Sequence, residues 1–310
     1  MATNQPVAVS NLVHQTIGMS ISVTNTNDPV EVALKKLSDD EDKAGTDVRK
    51  MVAANDALGT NGVSRQEMFE RIHKRFDMVS NEYEDALKTN TNNVRIRLAY
   101  ANFLEDIHDE DGEQDQLEKA LTVCTNDPSI YNNLANIYGH HGPVKTAFEY
   151  YAKAIELNPN ESVYYENFAT TVYLFRPDAK EYYGINEDQV FAKSFELYSN
   201  AMRLDPDNFD LALDVARGYY GIRPMRAEPA LKAFTNALNI AHNEQDRENV
   251  YVNFARVKML AGRFDEARAQ LDAVTNPMYG DLKRRLLRNI TEQETEAKAS
   301  NAPPVSKPDR

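Results

Sequence analysis

The feature that most constrains the fold of this chain is its self-similarity at a step of 34 residues. The related positions are Tyr131 and Tyr165, Leu134 and Phe168, Ala135 and Ala169, the series Tyr83, Leu117 and Tyr151, and the series Ala86, Ala120 and Ala154. Apolar and small residues that recur at this step indicate stacked helical hairpins, because one hairpin cannot bury its apolar face alone. We therefore predict a repeat architecture.

The clearest copy spans residues 128–161 and contains aromatic and small residues at regular places. They are Tyr131, Leu134, Ala135, Tyr138, Ala147, Tyr151, Ala154 and Pro159. This pattern resembles that of the tetratricopeptide-repeat family. Small residues let the two helices of a hairpin approach, and Pro159 ends the second helix because it lacks a backbone N–H. The resemblance implies an all-α, right-handed superhelical solenoid of stacked antiparallel helix hairpins with a C-terminal capping helix.

The repeat pattern also divides the chain into segments. We predict a disordered or loosely attached segment 1–28, degenerate helices 29–93, a repeat array 94–276 with an insert at 176–188, a capping helix 277–298 and a flexible tail 299–310. Within 29–93, the sequence SRQE at 64–67 predicts a capped helix start. In the copy at 94–127, Glu113 departs from the pattern, which has alanine at that place.

The charge balance of the chain argues against nucleic acid as a partner. There are 35 Lys and Arg residues against 48 Asp and Glu residues, which gives a formal net charge of −13. Non-specific phosphate binding requires clustered positive charge. We expect a protein or peptide partner, no nucleic acid and no membrane insertion, with a homo-oligomer as an open alternative.

The first residues lack the basic region of a signal peptide, since the first basic residue is Lys35. We expect a cytoplasmic protein, or a periplasmic or exported one if a signal is missing from this chain. Cys124 is the only cysteine, which excludes an intrachain disulfide.

Two local motifs suggest metal chemistry, and we favour a simpler interpretation of both. The sequence GHHGP at 139–143 contains adjacent histidines, which we predict to lie in a solvated turn between two helices. Residues 107–118 fit part of a calcium-loop template, but Ile107 occupies the first ligand position. We predict an acidic helix start there and keep calcium as an alternative. No catalytic motif is evident, and we predict no enzyme, no cofactor, and no catalytic or metal-binding residue.

The family resemblance implies that the first helices of successive hairpins line a concave groove for an extended peptide or a partner helix. The residues expected to line that groove are Asn102, Asn132, Asn133, Asn136, Asn167, Thr170, Tyr173, Arg217, Tyr220, Asn253 and Arg256. An asparagine amide offers a donor and an acceptor, which match a peptide backbone unit. Arg217 and Arg256 are the cations in this set, and an acidic stretch of a partner would fit beside them.

We therefore predict a non-catalytic protein-interaction scaffold. One alternative is a self-associating structural protein that uses the insert as a contact edge through Tyr182 and Tyr183. The other is a calcium-responsive protein or an accessory subunit of an enzyme complex.

Overall fold

The computed structural model describes residues 28–300, with side chains described as far as residue 298. The predicted segment 1–28 lies outside these residues except for Asp28, and the predicted tail lies outside them except for helical backbone at 299 and 300. The described chain forms fourteen α-helices, three short 3-10 helices and no strand. The α-helices are α1 (Pro29–Ala57), α2 (Arg65–Thr89), α3 (Val94–Asp106), α4 (Glu110–Val123), α5 (Pro128–His141), α6 (Val144–Leu157), α7 (Ser162–Leu174), α8 (Arg176–Tyr183), α9 (Glu187–Leu204), α10 (Phe209–Gly218), α11 (Ala227–Asn239), α12 (Glu244–Leu260), α13 (Phe264–Asp272) and α14 (Gly280–Ser300). The predicted all-α class is confirmed.

Short polar side chains fix many of the helix starts by accepting hydrogen bonds from otherwise free backbone N–H groups. Ser64 accepts from the backbone N–H of Glu67, so α2 begins where the sequence predicts it. Asn186 and Gln189 form a reciprocal pair of such bonds at the start of α9. Asp28, Asn93, Asp109, Asp127, Asn208 and Asn243 also cap helices.

Twelve of the fourteen described helices pair into six hairpins, which are α1–α2, α3–α4, α5–α6, α7–α9, α10–α11 and α12–α13. In α5–α6, Ala135, Ala147 and Ala154 are fully buried, and their small size permits the close approach of the two helices. Tyr151 is also buried and donates a hydrogen bond to Asn136 Oδ1 at 2.7 Å. The predicted hairpin repeat is confirmed.

The helices fall into two compact units that divide between Pro159 and Asn160, a junction of two repeat copies inside the predicted array. We call the described residues 28–159 the N-terminal unit and 160–300 the C-terminal unit. In the N-terminal unit, the long helices α1 and α2 pair with each other. Tyr83 of α2 stacks on Tyr100 of α3 with ring centres 4.8 Å apart, which joins this pair to the next hairpin.

In the C-terminal unit, α14 packs against α12 and α13 of the last hairpin. Leu286 and Ile290 of α14 are buried in its core. The carboxylate of Glu248 accepts hydrogen bonds from the backbone N–H groups of Thr275 and Asn276 at 3.0 and 2.7 Å. These bonds tie α12 to the segment that leads into α14.

The prediction that all of GHHGP forms a turn was wrong, because the turn is shorter than this sequence. Helix α5 continues through both histidines to His141, and the chain turns at Gly142, whose φ of 74° favours glycine. Gly139 is buried inside α5, where packing outweighs the low helix propensity of glycine. Both histidines are exposed, and His141 pairs with Glu110.

Residues 107–118 do not form a calcium loop, because α4 begins at Glu110 and includes most of the template. The side chain of Asp109 caps this helix by accepting from the N–H of Gly112 at 3.1 Å, and acidic residues fill the first turn. The predicted acidic helix start is confirmed. The described residues contain no group of three or more His, Cys, Asp or Glu side chains that could hold a metal ion.

The insert at 176–188 is not an open loop, because its first part forms the short helix α8. Ala179 is fully buried, so this helix is anchored against its neighbours. Tyr182 is 38% exposed, whereas Tyr183 is half-buried beneath the ammonium group of Lys193, 4.4 Å from its ring centre. The two adjacent tyrosines therefore have different surroundings.

Candidate functional site

Two predicted site residues of the C-terminal unit, Asn253 and Arg256, contact a third, Tyr220, which lies in the 3-10 helix Tyr219–Gly221 directly after α10. The Tyr220 hydroxyl donates to Asn253 Oδ1 at 3.0 Å. The guanidinium carbon of Arg256 lies 4.4 Å from the centre of the Tyr220 ring, close enough for a cation–π interaction. Asn253 and Arg256 are one turn apart and share a face of α12. Three residues predicted separately thus form one contact cluster.

Tyr173 of α7 reaches the same 3-10 helix. A Cβ atom added to Gly221 would lie 2.6 Å from the Tyr173 hydroxyl, so only glycine allows this close approach. Burial raises the pKa of Tyr173, while the positive charges of Arg176, Arg223 and Arg256 act in the opposite direction. Arginines from three parts of the unit therefore lie close enough to influence the Tyr173 hydroxyl.

Two arginines near the tyrosines have clear partners within the protein. Nη1 of Arg176 donates to the backbone oxygen of Tyr173 at 2.5 Å, and its guanidinium carbon lies 5.0 Å from the Tyr173 ring centre. Nη1 of Arg217 donates to Asp214 Oδ1 at 3.0 Å. Arg217 is therefore neutralised by Asp214 and is a weaker candidate for binding an outside anion than the sequence suggests.

Arg223 and Arg256 have no carboxylate partner among the described residues. Nη1 of Arg223 donates to the backbone oxygens of Tyr220 and Ile222 at 2.7 and 2.9 Å, which fixes the side chain without cancelling its charge. Arg256 makes its ring contact with Tyr220 and no hydrogen bond to a described residue. We refer to Arg223 and Arg256, together with Tyr173 and Tyr220, as the arginine–tyrosine cluster.

Buried acidic groups lie on α7 and α10 of the same unit. Glu166 is only 5% exposed, and burial raises its pKa to about 7, with the negative charges of Asp214 and Asp210 adding to the shift. Burial also raises the pKa of Asp214 to about 6, although Arg217 opposes this. The unit therefore contains acidic groups on α7 and α10 as well as the arginines near Tyr173.

The remaining predicted residues of α7 are buried. Asn167 lies in the interior, and Thr170 Oγ1 is 2.9 Å from the hydroxyl of Tyr198 on α9. The side-chain oxygen of Ser194 donates to the backbone oxygen of Ala169 at 2.9 Å. These polar contacts hold α7 against α9, which positions the face of α7 that carries Tyr173.

In the N-terminal unit, the predicted residues of α5 are buried and in contact. Nδ2 of Asn132 donates to Asn133 Oδ1 at 3.0 Å, and Asn136 Oδ1 accepts from Tyr151. Asn102 of α3 is half-buried. The amides of α5 thus form part of a hydrogen-bonded interior.

The predicted residues separate into two classes by exposure. Asn132, Asn133, Asn136, Asn167, Thr170 and Tyr173 are buried, whereas Asn102, Arg217, Tyr220, Asn253 and Arg256 are half-buried. A ligand at the surface would contact the half-buried residues first, and the buried residues support the surface beneath them. Their roles in binding stay predictions.

The sequence prediction omitted Arg176, Gly221 and Arg223. Arg223 lies outside the repeat pattern, in the segment between α10 and α11, so the 34-residue step carries no signal for it. The sequence YYG at 219–221 could have indicated Gly221, since a glycine beside aromatic residues suggests that a ring packs closely on the backbone.

Comparison with known proteins agrees with the repeat pattern. Residues 128–161 match the family model described as tetratricopeptide repeat. No curated protein matches the chain.

Among the described helices, none combines the length and apolarity that a membrane-spanning segment needs.

Solved structures resemble this one at low sequence identity. The crystal structure of PilW, a widely conserved type IV pilus biogenesis factor, aligns with a TM-score of 0.51 at 16% identity, covering 66% of this chain and 89% of that one. PilF of Pseudomonas aeruginosa aligns with a TM-score of 0.49 at 16% identity, covering 83% and 99%. YrrB, a TPR protein with an unusual peptide-binding site, aligns with a TM-score of 0.49 at 12% identity, covering 69% and 97%.

These likenesses concern the fold, and the family match concerns one repeat copy. Tetratricopeptide repeats form scaffolds for interactions between proteins and are generally not catalytic, so the coarse functional class follows from the repeat. The resemblance predicted from the sequence is confirmed: residues 128–161 match a tetratricopeptide repeat, and the fold is similar to that of the PilW structure.

Proposed function

We propose that this protein is a non-catalytic scaffold that binds an extended segment of a partner protein on the first helices of its C-terminal unit. The observation that carries the proposal is the contact cluster of Tyr220, Asn253 and Arg256. It combines a tyrosine, an asparagine and an arginine. Tyrosine and arginine are enriched in recognition surfaces, and an asparagine amide has both a hydrogen-bond donor and an acceptor.

The position of these side chains also supports the proposal. Tyr220, Asn253 and Arg256 are half-buried, so each is held by the protein while part of its surface faces outward. Side chains that are already fixed lose little conformational entropy when a ligand binds. The buried contact of Thr170 with Tyr198 holds the neighbouring helix α7 in place, which adds to this preorganisation.

The test is a selection of short peptides from a random display library on the full chain, followed by titration of a labelled selected peptide. We expect Asn253→Ala to weaken binding by about tenfold, because the variant loses the hydrogen bond that holds the Tyr220 hydroxyl in place. The matched control is Asn236→Ala, because Asn236 is exposed on the second helix α11. Thermal melting of both variants checks that they are folded.

Tyr220→Phe is a second variant that keeps the ring and removes only the hydroxyl that reaches Asn253. The proposal fails if no peptide is selected, or if the variants at Asn253 and Asn236 bind the selected peptide equally well. Light scattering of the free chain tests self-association, and a stable oligomer that excludes the peptide also contradicts the proposal.

A further inference from the structure

We propose that the arginine–tyrosine cluster binds an acidic segment of the partner protein, with Arg223 and Arg256 contacting its carboxylates. This inference rests on the proposed function and specifies the chemistry of the partner. The chain has an excess of acidic residues, with a formal net charge of −13. Even so, these two positive charges have no carboxylate partner among the described residues.

Arg256 is the more informative of the two arginines. A guanidinium group has five N–H donors, and none of those of Arg256 is used by an acceptor of the described chain. The side chain is nevertheless half-buried against Tyr220. Water solvates the exposed part of such a group, and an anionic ligand can take the place of that water. A carboxylate does so through two parallel hydrogen bonds, which match the planar fork of arginine.

Arg223 is placed to act together with Arg256. Its two hydrogen bonds to backbone oxygens use Nη1, which leaves Nη2 and Nε as donors. Both arginines lie near enough to Tyr173 for their charges to act on its hydroxyl, so they belong to one electropositive area. A segment with two carboxylates near each other is complementary to that area.

The surroundings favour an acidic peptide over a nucleic acid. Glu166 and Asp210 lie on neighbouring helices of the same unit, and their negative charges would oppose the continuous charge of a phosphate backbone. A peptide carries its negative charges at separate side chains and presents neutral backbone elsewhere. The Asn253 amide accepts from the Tyr220 hydroxyl and donates through Nδ2 to Asn249, so it holds in place the ring that packs against Arg256.

The test uses three labelled decapeptides on the full chain, in which glycine alternates with aspartate, asparagine or lysine. We expect the aspartate peptide to bind about tenfold or more tightly than the asparagine peptide, with an affinity that falls as salt is added. The double variant Arg223→Gln/Arg256→Gln should remove this preference for aspartate. The single variant Arg256→Lys should retain only part of the preference, because lysine lacks the planar fork of arginine.

The single variant Arg256→Gln has Arg203→Gln as its matched control, which also removes one positive charge but at an exposed arginine in the last turn of α9. The inference is overturned if this control weakens the aspartate peptide as much as Arg256→Gln does, or if the three peptides bind alike. It is also overturned if inorganic phosphate displaces the peptide completely at equal concentration, since the site would then hold free anions. Equal binding of all three peptides leaves the scaffold intact, whereas binding of none contradicts both proposals.

Discussion

The guanidinium carbon of Arg256 lies 4.4 Å from the centre of the Tyr220 ring, and the hydroxyl of that ring donates to Asn253 one turn earlier on α12. This arrangement links the last hairpin of the C-terminal unit to the end of α10. It fixes a cation, a ring and an amide relative to one another within one compact unit. The function proposed for the chain depends on this relationship.

The first prediction concerns the small residues at the hairpin contacts. Ala169 is fully buried where α7 packs against α9, and we expect Ala169→Leu to destabilise the protein by about 1–3 kcal/mol through overpacking. The matched control is Ala54→Leu at an exposed position of α1. Urea unfolding measures both changes. An unaltered midpoint for the Ala169 variant would mean that this contact tolerates a larger side chain.

The second prediction concerns pH. Burial raises the pKa of Glu41 and Glu166 to about 7, of Glu113 to about 8 and of Asp214 to about 6. In the unfolded chain these groups titrate at about pH 4, so the folded state holds their protons more tightly. Their stabilising contribution is complete below about pH 4 and is lost as the pH rises through about 6 to 8. We expect a lower urea midpoint at about pH 8.5 than at about pH 5.5.

Glu113→Gln is the informative variant for this pH dependence, because it replaces the carboxyl group of highest pKa among the four with a neutral amide. The variant should flatten the fall in stability between about pH 5.5 and 8.5, whereas Glu196→Gln at an exposed position of α9 should leave it unchanged. Carboxyl groups with a lowered pKa, such as Glu294 at about 2, titrate below this window. A midpoint that stays level or rises with pH would show that the four carboxyl groups do not titrate in this way.

The third prediction separates the two tyrosines of α8. Tyr183 lies beneath the Lys193 ammonium group, and we expect Tyr183→Ala to lower the melting temperature. Tyr182→Ala should leave melting nearly unchanged, because this ring is 38% exposed. If α8 is a contact edge, the Tyr182 variant should also weaken self-association in light scattering. Unchanged association of a protein that does oligomerise would count against the contact edge.

The buried repeat residues could be predicted because residues at equivalent places of each repeat lie at the same helix contact. Ala135, Ala154 and Tyr151 are fully buried, as the 34-residue step predicts for residues that face the partner helix. The departure at Glu113 was visible in the sequence as well. Its consequence, a buried carboxyl group with a pKa raised to about 8 by burial and by the charges of neighbouring glutamates, required the fold.

The candidate site was less predictable, because burial of a polar residue depends on tertiary neighbours. Asn136 belongs to the expected row of amides, but its oxygen is used by Tyr151 of the facing helix. Arg217 was expected to be available, but Asp214 on the preceding turn pairs with it. Arg223 lies outside the repeat, so no periodic pattern points to it. The spacing predicts which face a residue lies on and leaves open which partner it meets.

The most direct test of the central claim is photo-cross-linking of the full chain with a library-selected peptide that carries a photoreactive benzoylphenylalanine. Mass spectrometry then locates the modified residues of the protein. The account predicts adducts on α7, on the 3-10 helix Tyr219–Gly221 and on α12, with loss of these adducts in the Arg223→Gln/Arg256→Gln variant when the peptide is acidic. Adducts confined to the second helices α9, α11 and α13, or to the N-terminal unit, would contradict it.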